Sequence, residues 1–171
     1  YGKSKAAGEQ AIENLLHPIQ QATILRTSWL MGPIGKNFLL TMLKLHEERN
    51  EISVVADEIG CPTSTYTLAN VCWKLIELQH SKTQNSLKYL HWSDSGITTW
   101  YDVALKIGEL AQDLGLISQM ARVIPIKSID YPSLVKRPRY SVLNSENTIN
   151  QLSLKNVHWH LTIENILKSL T

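Results

Sequence analysis

At 171 residues, with 43% hydrophobic and 19% charged side chains, the chain has the length of about one domain and the balance of a packed globular body, which excludes disorder, a collagen-like repeat and a disulfide-dense scaffold. Seventeen Lys and Arg against fifteen Asp and Glu leave a formal charge of +2, too small a basic footprint for a nucleic-acid binder. No apolar run approaches the roughly 18 residues that span a bilayer, and the polar start YGKSKAAGEQ lacks a signal-peptide core, so the sequence predicts no membrane partner and a cytoplasmic setting.

The spacing of Ala6, Ala7, Gln10, Ala11, Asn14 and Leu15 predicts a helix from the first residues to a stop at His17-Pro18. Residues 22–29 are short, partly β-branched and bounded by Pro18 and the Gly32-Pro33 turn, which predicts a buried parallel strand. A helix follows over 37–49, with Phe38, Leu39, Met42, Leu43 and Leu45 on one stripe. Residues 51–56 read as a strand. Ser64, Thr65 or Thr67 then caps a helix carrying Leu68, Val71, Cys72, Leu75 and Ile76, which the polar stretch 80–86 ends. After a strand over 87–92, Thr98 or Thr99 opens a helix through Leu114, closed by Gly115. One more strand at 122–126, an irregular stretch over 127–141 and short helices near 145–152 and 162–170 complete an α/β pattern without an internal repeat or clear linker.

Tyr1 and Lys5 stand at i and i+4, so a helix brings the ammonium beside the phenol and favours phenolate. A tyrosine so placed exchanges a proton with a carbonyl or alcohol oxygen; on spacing alone, an ordinary surface helix remains open. Arg26, Thr27, Ser28 and Trp29 fall at the carboxyl end of a predicted strand, where open α/β sheets place ligands. Trp29 alternatively packs under the following loop. Lys36, Asn37 and Phe38 precede a helix, where Asn37 either meets an anionic diphosphate or is an ordinary N-cap. Arg137, helped by Arg139, is either a bidentate phosphate clamp or solvated surface. Residues 57–63 and 98–102 read as a turn and a cap. Cys61 and Cys72, with no CxxC motif and no activating base, read as reduced packing residues. His158 and His160 alternate as on an extended segment but lack a third ligand, so no metal site is expected.

In chain order, YGKSKAAGE, ILRTSW, KNFLLTML, VVADEIGCPT, GITTWYD and RPRYSVLN, running from Tyr1 to about Trp159, resemble the extended short-chain dehydrogenase/reductase family and, within it, the dTDP-4-dehydrorhamnose reductases. The resemblance implies the C-terminal part of a Rossmann-like NAD(P)-binding parallel sheet, interwoven with a smaller α/β substrate-binding lobe. It implies reduction, with NADPH or NADH, of the 4-keto group of dTDP-4-dehydro-L-rhamnose to dTDP-L-rhamnose for surface polysaccharide. Tyr1 matches the proton donor and Lys5 the residue that tunes it and holds the nicotinamide ribose. Ser28 falls to the cofactor carboxamide, Trp29 to the hexose, and Asn37 and Arg137 to the dTDP-linked substrate. Some relatives hold Mg at a subunit contact; its carboxylates have no mapped counterpart here, and a homodimer is compatible with the pattern. The eight glycines contain no GxGxxG, so the glycine-rich half of the cofactor domain and an upstream Thr or Ser of the catalytic set are expected ahead of Tyr1, and these 171 residues alone are expected to be inactive. Two alternatives share the fold: a non-catalytic subunit like the regulatory subunit of methionine adenosyltransferase, and another nucleotide-sugar epimerase or dehydratase.

Overall fold

The computed structural model describes residues 1–19, 21–80, 88–132, 135 and 137–171. Among the described residues, helices α1 (Gly2–Leu15), α2 (Phe38–Glu48), α3 (Thr65–His80), α4 (Trp100–Asp113), α5 (Glu146–Leu152) and α6 (Trp159–Lys168) alternate with eight short strands. These are β1 (Ile24–Thr27), β2 (Leu30–Met31), β3 (Glu51–Val55), β4 (Ile59–Gly60), β5 (Thr63–Ser64), β6 (Tyr89–Trp92), β7 (Thr98–Thr99) and β8 (Arg122–Ile126). Three pairs are parallel, β1 with β6, β2 with β5 and β3 with β8, while β4 and β7 run antiparallel. The architecture is the mixed α/β one that the alternation predicts.

Two apolar cores organise the described residues. In the first, alternate residues Leu90 and Trp92 of β6 point inward as strand periodicity requires. Val71 and Leu75 of α3 meet them, flanked by Leu68 and Leu78 on the same helical stripe, and Leu152 of α5 closes the cluster. The second core joins β3 and β8 to α2, α4 and α6. Helix α4 starts on a capping box, in which the Thr99 hydroxyl accepts from the Asp102 N–H and the Asp102 carboxylate accepts from the Thr99 N–H. Its Val103, Ala104 and Ile107 are fully buried in the cluster that also holds Ile163, Ile166 and Leu167 of α6. Beyond α4, Gly115 adopts φ +71, the left-handed turn expected just past a helix end.

His46 is the buried polar element of this second core. Its ring sits over Gly108, where a Cβ would come within 2.7 Å of it. The Nε2–H donates to the Ala104 carbonyl at 2.9 Å and Nδ1 accepts from the Ala121 N–H at 3.2 Å, so one neutral tautomer satisfies both partners. Burial pushes the His46 pKa down. The unfolded chain therefore binds this proton more readily, and the stabilisation is present above the ordinary imidazole value of about 6.5 and lost as pH falls below it. Urea unfolding is expected to show lower stability at pH 5.5 than at pH 7.5, with a smaller difference in His46→Gln.

Several expectations are corrected. The strand expected over 22–29 is only Ile24–Thr27, because Trp29 takes φ +46 and breaks the extended run. Cys72 is exposed, not packed, since α3 turns Val71 and Leu75 inward and leaves Cys72 and Ile76 outside. The final helix begins at Trp159, so His158 is its N-cap and His160 lies in its first turn; they do not share an extended segment. Residues 81–87, which include Leu87 and most of the expected helix stop, lie outside the described residues.

Candidate active site

Helix α1 buries none of its residues and is tied to the sheet by a polar cluster. Arg26 of β1 donates from Nε and Nη2 to the two carboxylate oxygens of Glu9, at 2.8 and 2.5 Å. This bidentate pairing pulls the Glu9 pKa down and raises that of Arg26. The guanidinium lies 5.0 Å from the Tyr89 ring centroid. A hydrogen bond with Glu13, reinforced by burial, pushes the Tyr89 phenol up to about 12. Arg26→Ala is accordingly expected to speed amide hydrogen exchange across α1 while leaving α4, which the second core holds, unchanged.

The same contacts orient α1. Glu9 meets Arg26, and Glu13 meets Tyr89, which pairs with Ile24 at the start of β1. The helix thus runs antiparallel to β1, with its N-terminus toward the carboxyl end of the strand. Tyr1 precedes Glu9 by about 12 Å of helix axis, and Ser28 and Trp29 follow directly on Thr27, the last residue of β1. The head of α1, which carries Tyr1, thus points the same way as the carboxyl end of β1, from which Ser28 and Trp29 follow.

Among the described residues the Tyr1 side chain makes no capping bond. The Lys5 Nζ lies 5.5 Å from the ring centroid, the pairing that i,i+4 spacing predicts. At the end of β1, the Ser28 hydroxyl donates to the Cys61 carbonyl at 2.9 Å and keeps its lone pairs as acceptors. Burial raises the Cys61 thiol pKa, the opposite of what a nucleophilic cysteine requires.

Trp29 occupies the left-handed region, an uncommon state for a bulky residue that costs on the order of 1–3 kcal/mol. Surrounding contacts hold it there. Its carbonyl accepts from the Thr63 N–H at 3.1 Å, and its indole stacks on Trp100 at 3.7 Å with 15° between the planes. Phe38 tilts against the same Trp100 at 4.5 Å. The Trp100 Nε1–H donates to Glu58 at 3.2 Å. Gly60 leaves room for the Trp29 ring, since a Cβ there would fall 2.6 Å from it. Sequence reading assigned Trp100 only to a cap, because stacking across about seventy residues leaves no periodic signal.

Asn37 is the N-cap of α2. Its Oδ1 accepts from the Leu40 N–H at 3.2 Å, while its amide donates to the Gly32 and Ile34 carbonyls at 2.9 and 3.4 Å. The side chain is thus committed to the 32–37 loop, and this geometry presents the loop and helix terminus rather than the amide itself. Arg137 is exposed. Two residues on, Arg139 pairs with Asp57 at 4.0 Å, and the Ile59 N–H donates to the Arg139 carbonyl at 2.7 Å. Arg137 is therefore tethered near β4, the strand that borders Trp29. The Ser128 N–H and hydroxyl donate to Asp57 and hold its pKa down.

Asp94, just beyond β6, escaped the sequence reading. It is 1% exposed, with Oδ2 accepting from the Ser64 N–H at 2.8 Å and Oδ1 from the Thr67 hydroxyl at 2.6 Å. Burial raises its pKa despite these donors. It ties the end of β6 to the start of α3. Away from this region, His158 and His160 line an open groove of about 460 Å³ with Asp102, Lys106 and Glu109. No group of three or more His, Cys, Asp or Glu among the described residues is placed to hold a metal. No helix among them is long and apolar enough to cross a membrane.

The profile of the RmlD substrate binding domain matches residues 1–171. The chain belongs to that family. The dTDP-4-dehydrorhamnose reductase of Escherichia coli (strain K12) is 33% identical over 170 residues, covering 99% of this chain and 56% of that protein. The spore coat polysaccharide biosynthesis protein SpsK of Bacillus subtilis (strain 168) is 36% identical over 168 residues, covering 98% and 53%. A crystal structure of dTDP-4-dehydrorhamnose reductase from Bacillus anthracis str. Ames in complex with NADP aligns with a TM-score of 0.82 at 32% identity, covering 100% of this chain and 55% of that one. The RmlD-type chain thus spans about half the length of the curated relatives it matches.

Proposed function

We propose that this RmlD-family chain supplies the proton-donating and sugar-binding part of an NAD(P)H-dependent reductase acting on the 4-keto group of dTDP-4-dehydro-L-rhamnose. What supports the reading is the Tyr1 phenol beside Lys5 at the head of α1, a helix that the Glu9–Arg26 pair ties to β1. Its substrate and cofactor follow from the relatives named dTDP-4-dehydrorhamnose reductase and from the B. anthracis reductase in complex with NADP.

The residues present fit a nicotinamide cofactor. Lys5 offers an ammonium that only donates, matched to ribose hydroxyl acceptors. Ser28, whose proton is directed to Cys61, offers an acceptor to a carboxamide N–H. When bound, the nicotinamide supplies hydride to the carbonyl carbon. Negative charge then develops on the carbonyl oxygen, and Tyr1 delivers its phenolic proton there as general acid. The Lys5 ammonium stabilises the phenolate left behind. Trp29 presents an indole surface to the hexose, and Arg137 offers a guanidinium to the diphosphate. Asn37 acts on that same substrate through the loop it staples.

Incubating the full protein that carries this chain with NADPH and the dTDP-ketosugar tests the reading. Saturable loss of nicotinamide absorbance with formation of dTDP-rhamnose is expected. Binding without turnover would instead favour a non-catalytic subunit, and a changed sugar without net cofactor oxidation would favour an epimerase or dehydratase.

A further inference from the structure

We infer that Trp100, anchored by Glu58, is a positioning residue that fixes the plane of Trp29 for the hexose; the inference rests on the sugar-facing role proposed for Trp29. Three independent contacts converge on one ring orientation. Stacking at 3.7 Å and 15° covers one face of the Trp29 indole and brings the planes close to parallel, so a rotation of Trp100 carries Trp29 with it. The Glu58 carboxylate holds the Trp100 Nε1–H at 3.2 Å, while Phe38 blocks Trp100 from another side at 4.5 Å. Gly60 gives the Trp29 ring edge clearance that no residue with a Cβ allows. The backbone of Trp29 is itself in the left-handed region, so the stack, not local preference, maintains the conformation.

A platform of this kind discriminates by the sugar and leaves the nucleotide alone. Losing it therefore lowers affinity for a dTDP-sugar without changing affinity for dTDP. The full protein is titrated calorimetrically with dTDP and with dTDP-L-rhamnose, and the affinity ratio of the two is the sugar increment. In Trp100→Leu and Glu58→Leu that increment is expected to fall about five- to tenfold, the scale of one aromatic contact, with dTDP affinity unchanged. Glu58→Gln keeps an acceptor for the indole N–H and retains the increment. Gly60→Ala, which displaces Trp29 from its other edge, reproduces the loss. Circular dichroism supplies a reading independent of ligand: the exciton couplet of the stacked indoles is present in the wild type and Glu58→Gln and absent from Trp100→Leu and Glu58→Leu. An intact sugar increment in Trp100→Leu, or equal weakening of dTDP and dTDP-L-rhamnose, overturns the inference alone. A wild type that binds neither nucleotide overturns the functional reading and the inference with it.

Discussion

Tyr1→Phe is expected to lower kcat for ketosugar reduction by about 10²- to 10⁴-fold, the usual contribution of a positioned general acid, with KM and the unfolding midpoint little changed. The substitution removes one oxygen. The Tyr1 side chain makes no capping bond, so no helix cap is lost with that oxygen, and a change of this size is expected to fall within about 0.5 kcal/mol. The aromatic ring stays, so its contact with Lys5 at 5.5 Å persists. A separation of activity from stability is therefore the signature to seek, by steady-state kinetics and urea unfolding of the same preparations. Comparable losses in both would show that Tyr1 is structural. Unchanged turnover would remove it from the mechanism.

Ile107→Ala is expected to have the largest effect on stability. Ile107 is fully buried at the centre of α4, in the cluster that joins α2, β3, β8 and α6. Truncation removes three carbons from a site walled by helices on more than one side, so the cavity collapses only in part. Such substitutions cost about 2–5 kcal/mol, which lowers Tm by on the order of 5–15 °C for a protein of this size. Ile129→Ala is the matched control: Ile129 is 82% exposed in the short 3-10 turn Ser128–Asp130, and its loss is expected to shift Tm by no more than about 2 °C. Thermal unfolding followed by circular dichroism checks both, and equal shifts would contradict the packing assigned to the second core.

Features that depend on neighbouring residues were legible in the sequence. Helix α2 begins where Asn37 caps it, α4 opens on Thr99 and closes before Gly115, and Tyr1 reaches Lys5 by helical spacing, because caps, turns and i,i+4 pairs are encoded within a few residues. Long-range features were not. The Trp29–Trp100 stack, the His46 hydrogen bonds to Ala104 and Ala121, and the bonds from Ser64 and Thr67 to Asp94 join segments far apart in the chain. Nothing local distinguishes Asp94 from a surface aspartate in a turn, or His46 from the solvent side of an amphipathic helix. Cys72 shows the converse failure, since an apolar residue at helical spacing was taken to be inside while α3 turns its Val71 and Leu75 side to the core and leaves Cys72 exposed. Asn37 lies between the two. The cap was legible, but the loop carbonyls that occupy its amide came from the folded 32–37 segment.

The most direct test of hydride reduction at C4, with Tyr1 as the proton source, follows label from cofactor to product. The full protein is supplied with dTDP-4-dehydro-L-rhamnose and NADPH carrying deuterium at the transferable position of the nicotinamide, and the sugar is read by NMR. The account predicts one deuterium at C4 of dTDP-L-rhamnose, formed by the wild type and all but lost in Tyr1→Phe. Deuterium at another carbon, no label in a sugar that has nonetheless changed, or undiminished labelling in Tyr1→Phe would contradict it.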